Sequence, residues 1–356
     1  MERATVDVYE ARGALWARSR KAVLADRAAA FGAGLGKGTL RLDVGCGAGR
    51  YLAELGRPAV GLDAARTMLD LCREAAPLAP LVQGDIEQLP FGTATVGGAW
   101  ATMSYLHVPR VRLPMALADL HRVLVCGAPV ELQLLAGDYE GDQLPGDDVG
   151  QRFFASWQPG PLRDVLVGAG FEVVDLGFDD DTVVVAARRT RSLADTVGPG
   201  MRLLFVGLNP SLYAADAGVG FARRSNRFWP ALTAAGLCGD GEGPRTALYR
   251  HRLGLTDLVK RATAGAGELE RVEYRHGMGR IERLAAWLRP QAMCFVGLAG
   301  WRAAVDPHAR CGPQPQAIGG RPCYVMPSTS GANAHARLGD LVDHLRAAAR
   351  LADDAA

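Results

Sequence analysis

Three short segments bring together residue types suited to chemistry at a sheet edge. Leu204-Phe205-Val206-Gly207-Leu208-Asn209-Pro210-Ser211 and, far downstream, Val325-Met326-Pro327-Ser328-Thr329-Ser330-Gly331-Ala332-Asn333-Ala334 are each an apolar run that stops in a turn of small polar residues. Buried parallel strands deliver loop groups to their carboxyl ends in this way, and ligands bind at that edge. The third segment, Asp43-Val44-Gly45-Cys46-Gly47-Ala48-Gly49-Arg50, follows a strand pattern and opens a helical one. Glycines there let a ligand approach the backbone where a side chain would clash.

Eighteen residues after Gly45, Asp63 ends the next strand pattern, the position from which an acid accepts both hydroxyls of a ribose. Asp85, next to Ile86 in Gln83-Gly84-Asp85-Ile86-Glu87, adds a carboxylate suited to an adenine amino group. The spacing is G-x-G-x-G rather than the G-x-G-x-x-G of dinucleotide binders. No phosphate need be cradled, which fits S-adenosylmethionine better than NAD.

The elements that position these residues alternate strand and helix, as in parallel α/β sheets. A helical opening reaches about residue 36, and strands are expected at 39–44, 59–62, 81–84, 98–102, 128–135, 171–178 and 182–187. Helices at 65–76 and 113–124 lie between them, and 137–150, rich in Gly, Asp and Pro, reads as an exposed loop. Residues 189–200 read as a linker between a first domain, 1–188, and a second, 201–356. The second domain is expected to have strands at 202–207, 254–256, 292–297 and 322–326 and a final helix at 338–352.

A chain of 356 residues suits two cores, and 49% hydrophobic with 22% charged residues is globular composition. No apolar run reaches membrane-spanning length and the N-terminus lacks a signal-peptide stretch, so a cytoplasmic protein with no membrane partner is expected. The seven cysteines are scattered and never spaced C-x-x-C, which indicates neither a disulfide framework nor a metal site. Up to Thr190 there are 19 Lys+Arg against 24 Asp+Glu, and from Arg191 onward 21 against 14. The second half is basic and favours a nucleic-acid partner, although an arginine-rich coding bias contributes to the count.

Gly207-Leu208-Asn209-Pro210 and Pro327-Ser328-Thr329-Ser330-Gly331, with Gly220-Phe221-Ala222-Arg223-Arg224-Ser225-Asn226-Arg227-Phe228-Trp229 between them, resemble the mismatch-specific uracil/thymine-DNA glycosylases over residues 201–346. The first half, from its glycine loop, Asp63, Asp85 and strand pattern, resembles class I S-adenosylmethionine-dependent methyltransferases over 38–187. The two resemblances imply a two-domain α/β protein. A seven-stranded Rossmann-like domain would be followed by a uracil-DNA-glycosylase-like domain with a short parallel sheet.

The glycosylase resemblance implies that Asn209 orients the attacking water and that Phe221 stacks on an extruded base, a contact contributing about 1–3 kcal/mol. Gly207, Leu208 and Ser328 would line the base site. Asp257, in Gly254-Leu255-Thr256-Asp257-Leu258, either polarises the water or, like Thr256, caps a helix at about 1 kcal/mol. Ser330, Gly331, Ala332 and Asn333 stand where the family places its wedge, and Ala332 fills little of the void, so uracil is a safer substrate than thymine. Ser211 replaces a common glycine. Arg223, Arg224, Arg227 and Arg337 are candidate phosphate contacts. Partners would be S-adenosylmethionine and double-stranded DNA with G·U or G·T mismatches, with no cofactor for the glycosylase. No lysine is placed for a Schiff base, since Lys260 falls on an expected helix, so a monofunctional hydrolase is implied.

The methyltransferase resemblance implies that Asp43 and Gly45 face the methionine part, Asp63 the ribose and Asp85 the adenine, with Gly47, Gly49 and Ile86 also binding the cofactor. The methyl acceptor is unreadable, with Tyr105 and His107 as acceptor-side candidates. The alternative reading is a methyltransferase whose C-terminal domain targets nucleic acid or senses damage with little excision.

Overall fold

The computed structural model describes residues 1–19, 22–144, 146, 147 and 149–355. Arg20 and Lys21 of the expected helical opening, and Pro145 and Asp148 of the expected loop, lie outside them. The described chain divides into two units: Met1–Val167 with Phe171–Thr190, and Arg191–Ala356 with Gly168–Gly170. Among the described residues no helix is long and apolar enough to cross a membrane.

The first unit is built on a seven-stranded sheet. Its strands are β1 (Arg41–Val44), β2 (Ala59–Asp63), β3 (Leu81–Gln83), β4 (Gly98–Thr102), β5 (Pro129–Leu135), β6 (Phe171–Asp179) and β7 (Thr182–Arg189), in the order β3-β2-β1-β4-β5-β7-β6. The first five are parallel, and the β6–β7 hairpin joins antiparallel through β7. Every residue of β1 is buried, as a central parallel strand covered on both faces requires. The order reverses at β1, so its carboxyl end opens a crevice beside β4. Helix α1 (Arg3–Ser19) precedes the sheet, as does α2 (Ala25–Ala33). Helix α3 (Arg66–Ala75) buries Met68, Leu69 and Cys72 on one face. Helix α4 (Leu113–Val123) follows β4, and α5 (Pro159–Gly168) follows a short ribbon pairing Glu140–Gly141 with Phe154–Ala155.

The second unit has five strands, β8 (Leu203–Gly207), β9 (Leu253–Asp257), β10 (Ala292–Val296), β11 (Gly312–Pro313) and β12 (Cys323–Met326), in the order β9-β8-β10-β12-β11. All pairings are parallel except β11 with β12. Helices α6 (Leu212–Ala217), α7 (Phe228–Ala234), α8 (Pro244–His251), α9 (Arg271–Leu288), α10 (Leu298–Ala304) and α11 (Leu338–Asp354) cover the sheet. On α11, Leu341, Val342, Leu345, Ala348, Ala349 and Ala352 form one buried stripe at helical spacing. They share a core with Phe205 and Phe228.

Residues 191–197, expected within a linker, are built into the second unit. Thr196 exchanges two 2.8 Å backbone hydrogen bonds with Leu255 of β9. Asp195, 3% exposed, accepts from Thr256 Oγ1 (2.7 Å), Lys260 Nζ (2.7 Å) and Arg280 Nη1 (2.6 Å). The two cations hold its carboxyl below the usual range despite burial. A charged residue of the expected linker is therefore the anchor of the strand's outer edge, because Thr256 of β9, Lys260 just after it and Arg280 of α9 compensate its desolvation.

Candidate active sites

In the first unit the carboxyl ends of β1, β2 and β4 open into a cavity of about 350 Å³ lined by Asp43, Gly45, Gly47, Asp63, Ile86 and Ser104, among others. Gly45 has φ +72°, and a β-carbon on it would lie 2.4 Å from Ser104 Cβ, so only glycine lets the loop turn here. Gly47 and Gly49 also have positive φ. Asp43 is 2% exposed, its Oδ2 has no hydrogen-bond partner among the described residues, and burial pushes its pKa up to about 8. An orphaned carboxyl oxygen in a ligand-sized cavity suits a cationic ammonium. Asp63 accepts from the N–H groups of Gly47 and Ala65, both at 2.9 Å, so one carboxylate ties the glycine loop to the start of α3. Burial still raises its pKa against those bonds.

Helix α1 adds Tyr9 and Trp16 to this cavity. His107, 4% exposed, is kept neutral by burial, which lowers its pKa to about 4. Its Nδ1 lies 2.7 Å from the Phe153 carbonyl and so carries the proton, and its Nε2 accepts from the Tyr9 hydroxyl at 2.9 Å. Arg152 Nη1 donates to the same hydroxyl at 2.6 Å and pairs with Asp147.

In the second unit the carboxyl ends of β8 and β9 are joined beyond the sheet, Leu258 N–H donating to Gly207 O (2.8 Å) and Val259 N–H to Leu208 O (2.9 Å). Gly207 and Asp257 are register partners. A β-carbon on Gly207 would lie 2.4 Å from Asp257 Oδ1 and 3.4 Å from Phe221 Cζ. Absence of a side chain at Gly207 thus lets a carboxylate and an aromatic ring converge on one stretch of backbone. Asp257 is 7% exposed, and burial raises its pKa to about 6 against the pull of Lys260 and Arg280. Phe221, with φ +59°, stacks on Phe228 at 4.1 Å, and Trp229 Nε1 holds the preceding Gly220 carbonyl at 2.9 Å. A non-glycine residue at positive φ is strained, and two aromatic neighbours hold this one.

Asn209 follows on the same edge. The two hydrogens of its Nδ2 are shared among Thr263 Oγ1 (2.8 Å), Arg261 O (3.0 Å) and Pro210 O (3.2 Å). Three acceptors fix which way the amide faces, and Oδ1 takes no hydrogen bond from any described residue. A crevice of about 20 Å³ lies among Phe221, Thr256 and Asp257, enough for one water.

A family model described as "Methyltransferase domain" matches residues 42–129, and one described as "Uracil DNA glycosylase superfamily" matches residues 194–350. The chain contains a methyltransferase domain and a uracil DNA glycosylase superfamily domain. Similar solved structures include a SAM-dependent methyltransferase from Methanosarcina mazei (17% identity, 44% of this chain and 94% of that one, TM-score 0.39). Another is the 1,6-didemethyltoxoflavin-N1-methyltransferase of Burkholderia thailandensis (22% identity, 52% and 88%, TM-score 0.42). A third is a methyltransferase from Mesorhizobium loti (21% identity, 46% and 100%, TM-score 0.36).

In the methyltransferase domain Asp85 departs from its expected place. It is exposed, it does not line the cavity, and its carboxylate accepts from the Met1 amino group and from Glu87 N–H, while its neighbour Ile86 does line the cavity. Tyr105 is fully buried away from the cavity, whereas His107 lines it. Tyr9 and Arg152 were invisible as site residues, since one sits on an amphipathic helix and the other in a loop.

In the glycosylase superfamily domain Asp257 and Thr256 end a strand and cap no helix. Thr256 instead joins the Asp195 network. Lys260 lies in irregular chain after the bend at 258–259 rather than in a helix, its ammonium bound to Asp195 and the Leu193 carbonyl. Arg227 is no phosphate contact, because its guanidinium holds the carbonyls of Ser330 (2.9 Å), Asn333 (2.8 Å) and Ala336 and so shapes the 328–336 turn. Asn333 Nδ2 closes that turn on Ser328 O at 2.8 Å, and Ser330, Gly331 and Ala332 are exposed at its tip. Arg223 and Arg224 are exposed. Leu208 packs toward Gly300 of α10, and Ser211 caps α6 by accepting from Ala214 N–H at 3.2 Å. Thr263, which orients Asn209, carries no sequence signal because it lies 54 residues away in an irregular loop.

Proposed function

We propose that the glycosylase superfamily domain removes uracil, and secondarily thymine or another modified pyrimidine, from mismatches with guanine in duplex DNA by hydrolysing the N-glycosidic bond. The observation that carries this reading is the convergence of Asp257 and Phe221 on Gly207, with the oriented Asn209 amide on the same edge. The base, extruded from the duplex, stacks on Phe221 against the backbone of Gly207 and Leu208. Asn209 Oδ1 accepts a hydrogen bond from a water, and ionised Asp257 takes its proton as the oxygen bonds to the sugar carbon and the glycosidic electron pair leaves with the base. An oxocarbenium-like sugar accepts a weak nucleophile, so positioning contributes more than basicity. Ser328 supports the leaving base, the tip from Ser330 to Asn333 enters the vacated stack, and Arg223 and Arg224 meet phosphates. No covalent enzyme intermediate forms, since Lys260 is committed to Asp195.

The methyltransferase domain, on the same reading, holds S-adenosylmethionine, whose sulfonium supplies the methyl group. Asp43 faces its ammonium, Gly45 its methionine part and Asp63 its ribose, while Gly49 lies off the cavity and lets the loop pack on Cys72.

Duplexes carrying G·U, G·T and A·U, and single-stranded U, are incubated with the protein and treated with alkali. Cleavage is expected for G·U above G·T, with no borohydride-trapped adduct. Cleavage independent of the opposing base, or a trapped adduct, contradicts the reading.

A further inference from the structure

Helix α1 is tied across the methyltransferase cavity at separate points. Glu10 accepts from the N–H groups of Arg66 (2.6 Å) and Thr67 (2.9 Å), capping α3, whose own N-cap residue Ala65 has no side chain to do so. Tyr9 is bound by His107 and Arg152, and Thr5 Oγ1 accepts from Phe153 N–H at 2.9 Å. Gly13 lets the helix lie against Met68, since a β-carbon there would be 2.6 Å from the sulfur. Trp16 then lies over the glycine loop, 3.5 Å from where a Gly47 β-carbon would be.

We propose that α1 is the selecting wall of this cavity: lying across it, the helix admits only a small-molecule methyl acceptor beside the cofactor, and it keeps nucleic acid out. A base presented by a polynucleotide brings phosphates on both sides, which need an open, basic rim. Among the described residues the side-chain cations that line the cavity are Arg50 and Arg152, and neither is presented openly: Arg50 lies 4.4 Å over the Trp16 ring, and Arg152 is paired with Asp147. The unit is also acidic, with 19 Lys+Arg against 24 Asp+Glu up to Thr190. The cavity loads when α1 lifts, and Glu10, outside the cavity, is a tie that lifting breaks.

The proposal rests on S-adenosylmethionine binding, and S-adenosylhomocysteine is the probe that separates the two. Hydrogen exchange of the full chain is expected to slow in α1 when S-adenosylhomocysteine binds. Glu10→Ala is expected to shorten the residence time of this probe about fivefold to tenfold, as loss of one helix cap implies. With tritiated-methyl S-adenosylmethionine, label is expected in the low-mass products of a dialysable cell extract and not in a G·U duplex or bulk tRNA. Binding with α1 exchange unchanged, or label in either polymer, overturns the wall. No binding at all contradicts the cofactor reading, and the wall falls with it.

Discussion

Gly207 and Asp257 face each other on adjacent parallel strands so closely that a β-carbon on Gly207 would lie 2.4 Å from Asp257 Oδ1. The carboxylate is buried against backbone that no other residue type leaves bare.

Gly207→Ala is therefore expected to displace Asp257 or Phe221, destabilising the domain by about 1–3 kcal/mol through overpacking. Excision from a G·U duplex should fall by roughly 100-fold, the scale of a misplaced reacting group. Thermal unfolding and single-turnover excision measure the two effects, and an Ala variant with parental excision would show that the close approach is incidental.

Asp257 has its pKa raised to about 6, so the ionised form that accepts a proton from water grows in as pH rises through that value. Single-turnover excision should climb to about pH 6 and level off above it. Asp257→Asn should lower the plateau by about 100-fold or more and remove the climb. Because a raised acid pKa means that stability is lost as pH rises through it, the Asn variant should unfold no earlier than the parent at neutral pH.

Thr263 Oγ1 accepts from the Asn209 amide at 2.8 Å and donates a hydrogen bond to the Gly265 carbonyl at 2.9 Å. Thr263→Val should cost about tenfold in the excision step, one neutral hydrogen bond, with DNA affinity unchanged, and Thr263→Ser should restore the rate. Equal losses in Val and Ser would indicate packing rather than orientation.

Burial pushes the pKa of Asp43 up to about 8, and on the proposed reading the carboxyl is expected to ionise when a cationic ammonium arrives. Calorimetry of S-adenosylhomocysteine at pH 7 in buffers of different ionisation enthalpy should show proton release, and affinity should rise with pH up to about 8. Asp43→Asn should abolish both, and buffer-independent enthalpy in the parent would exclude Asp43 as the ammonium partner.

Both sheets were legible in the sequence because their strands stop in glycine or small polar residues: Leu203–Gly207 is a continuous apolar run, whereas Arg41–Val44, with two charged residues, is marked by the glycine turn that follows it. The turns at those stops hold Asn209 and the cofactor loop, so these candidates could be named. Partners contributed from far along the chain were not legible. Asp195 falls in an expected linker, Arg227 among the candidate phosphate contacts and Lys260 on an expected helix, yet each is bound by groups that only the fold brings near. Asp257 read equally as helix cap or acid because periodicity cannot tell the last residue of a short buried strand from the first turn of a helix. Tyr9 and Trp16 lie on a helix whose pattern says only that one face is covered, not that it covers a cavity.

The most direct measurement compares parent and Asn209→Ala on a duplex with one G·U pair under single-turnover conditions, with alkaline cleavage reporting abasic sites. The account predicts steady excision by the parent and loss of nearly all of it in the variant, with duplex binding retained. Excision that survives the substitution, or a folded, DNA-binding parent that excises nothing, would contradict it.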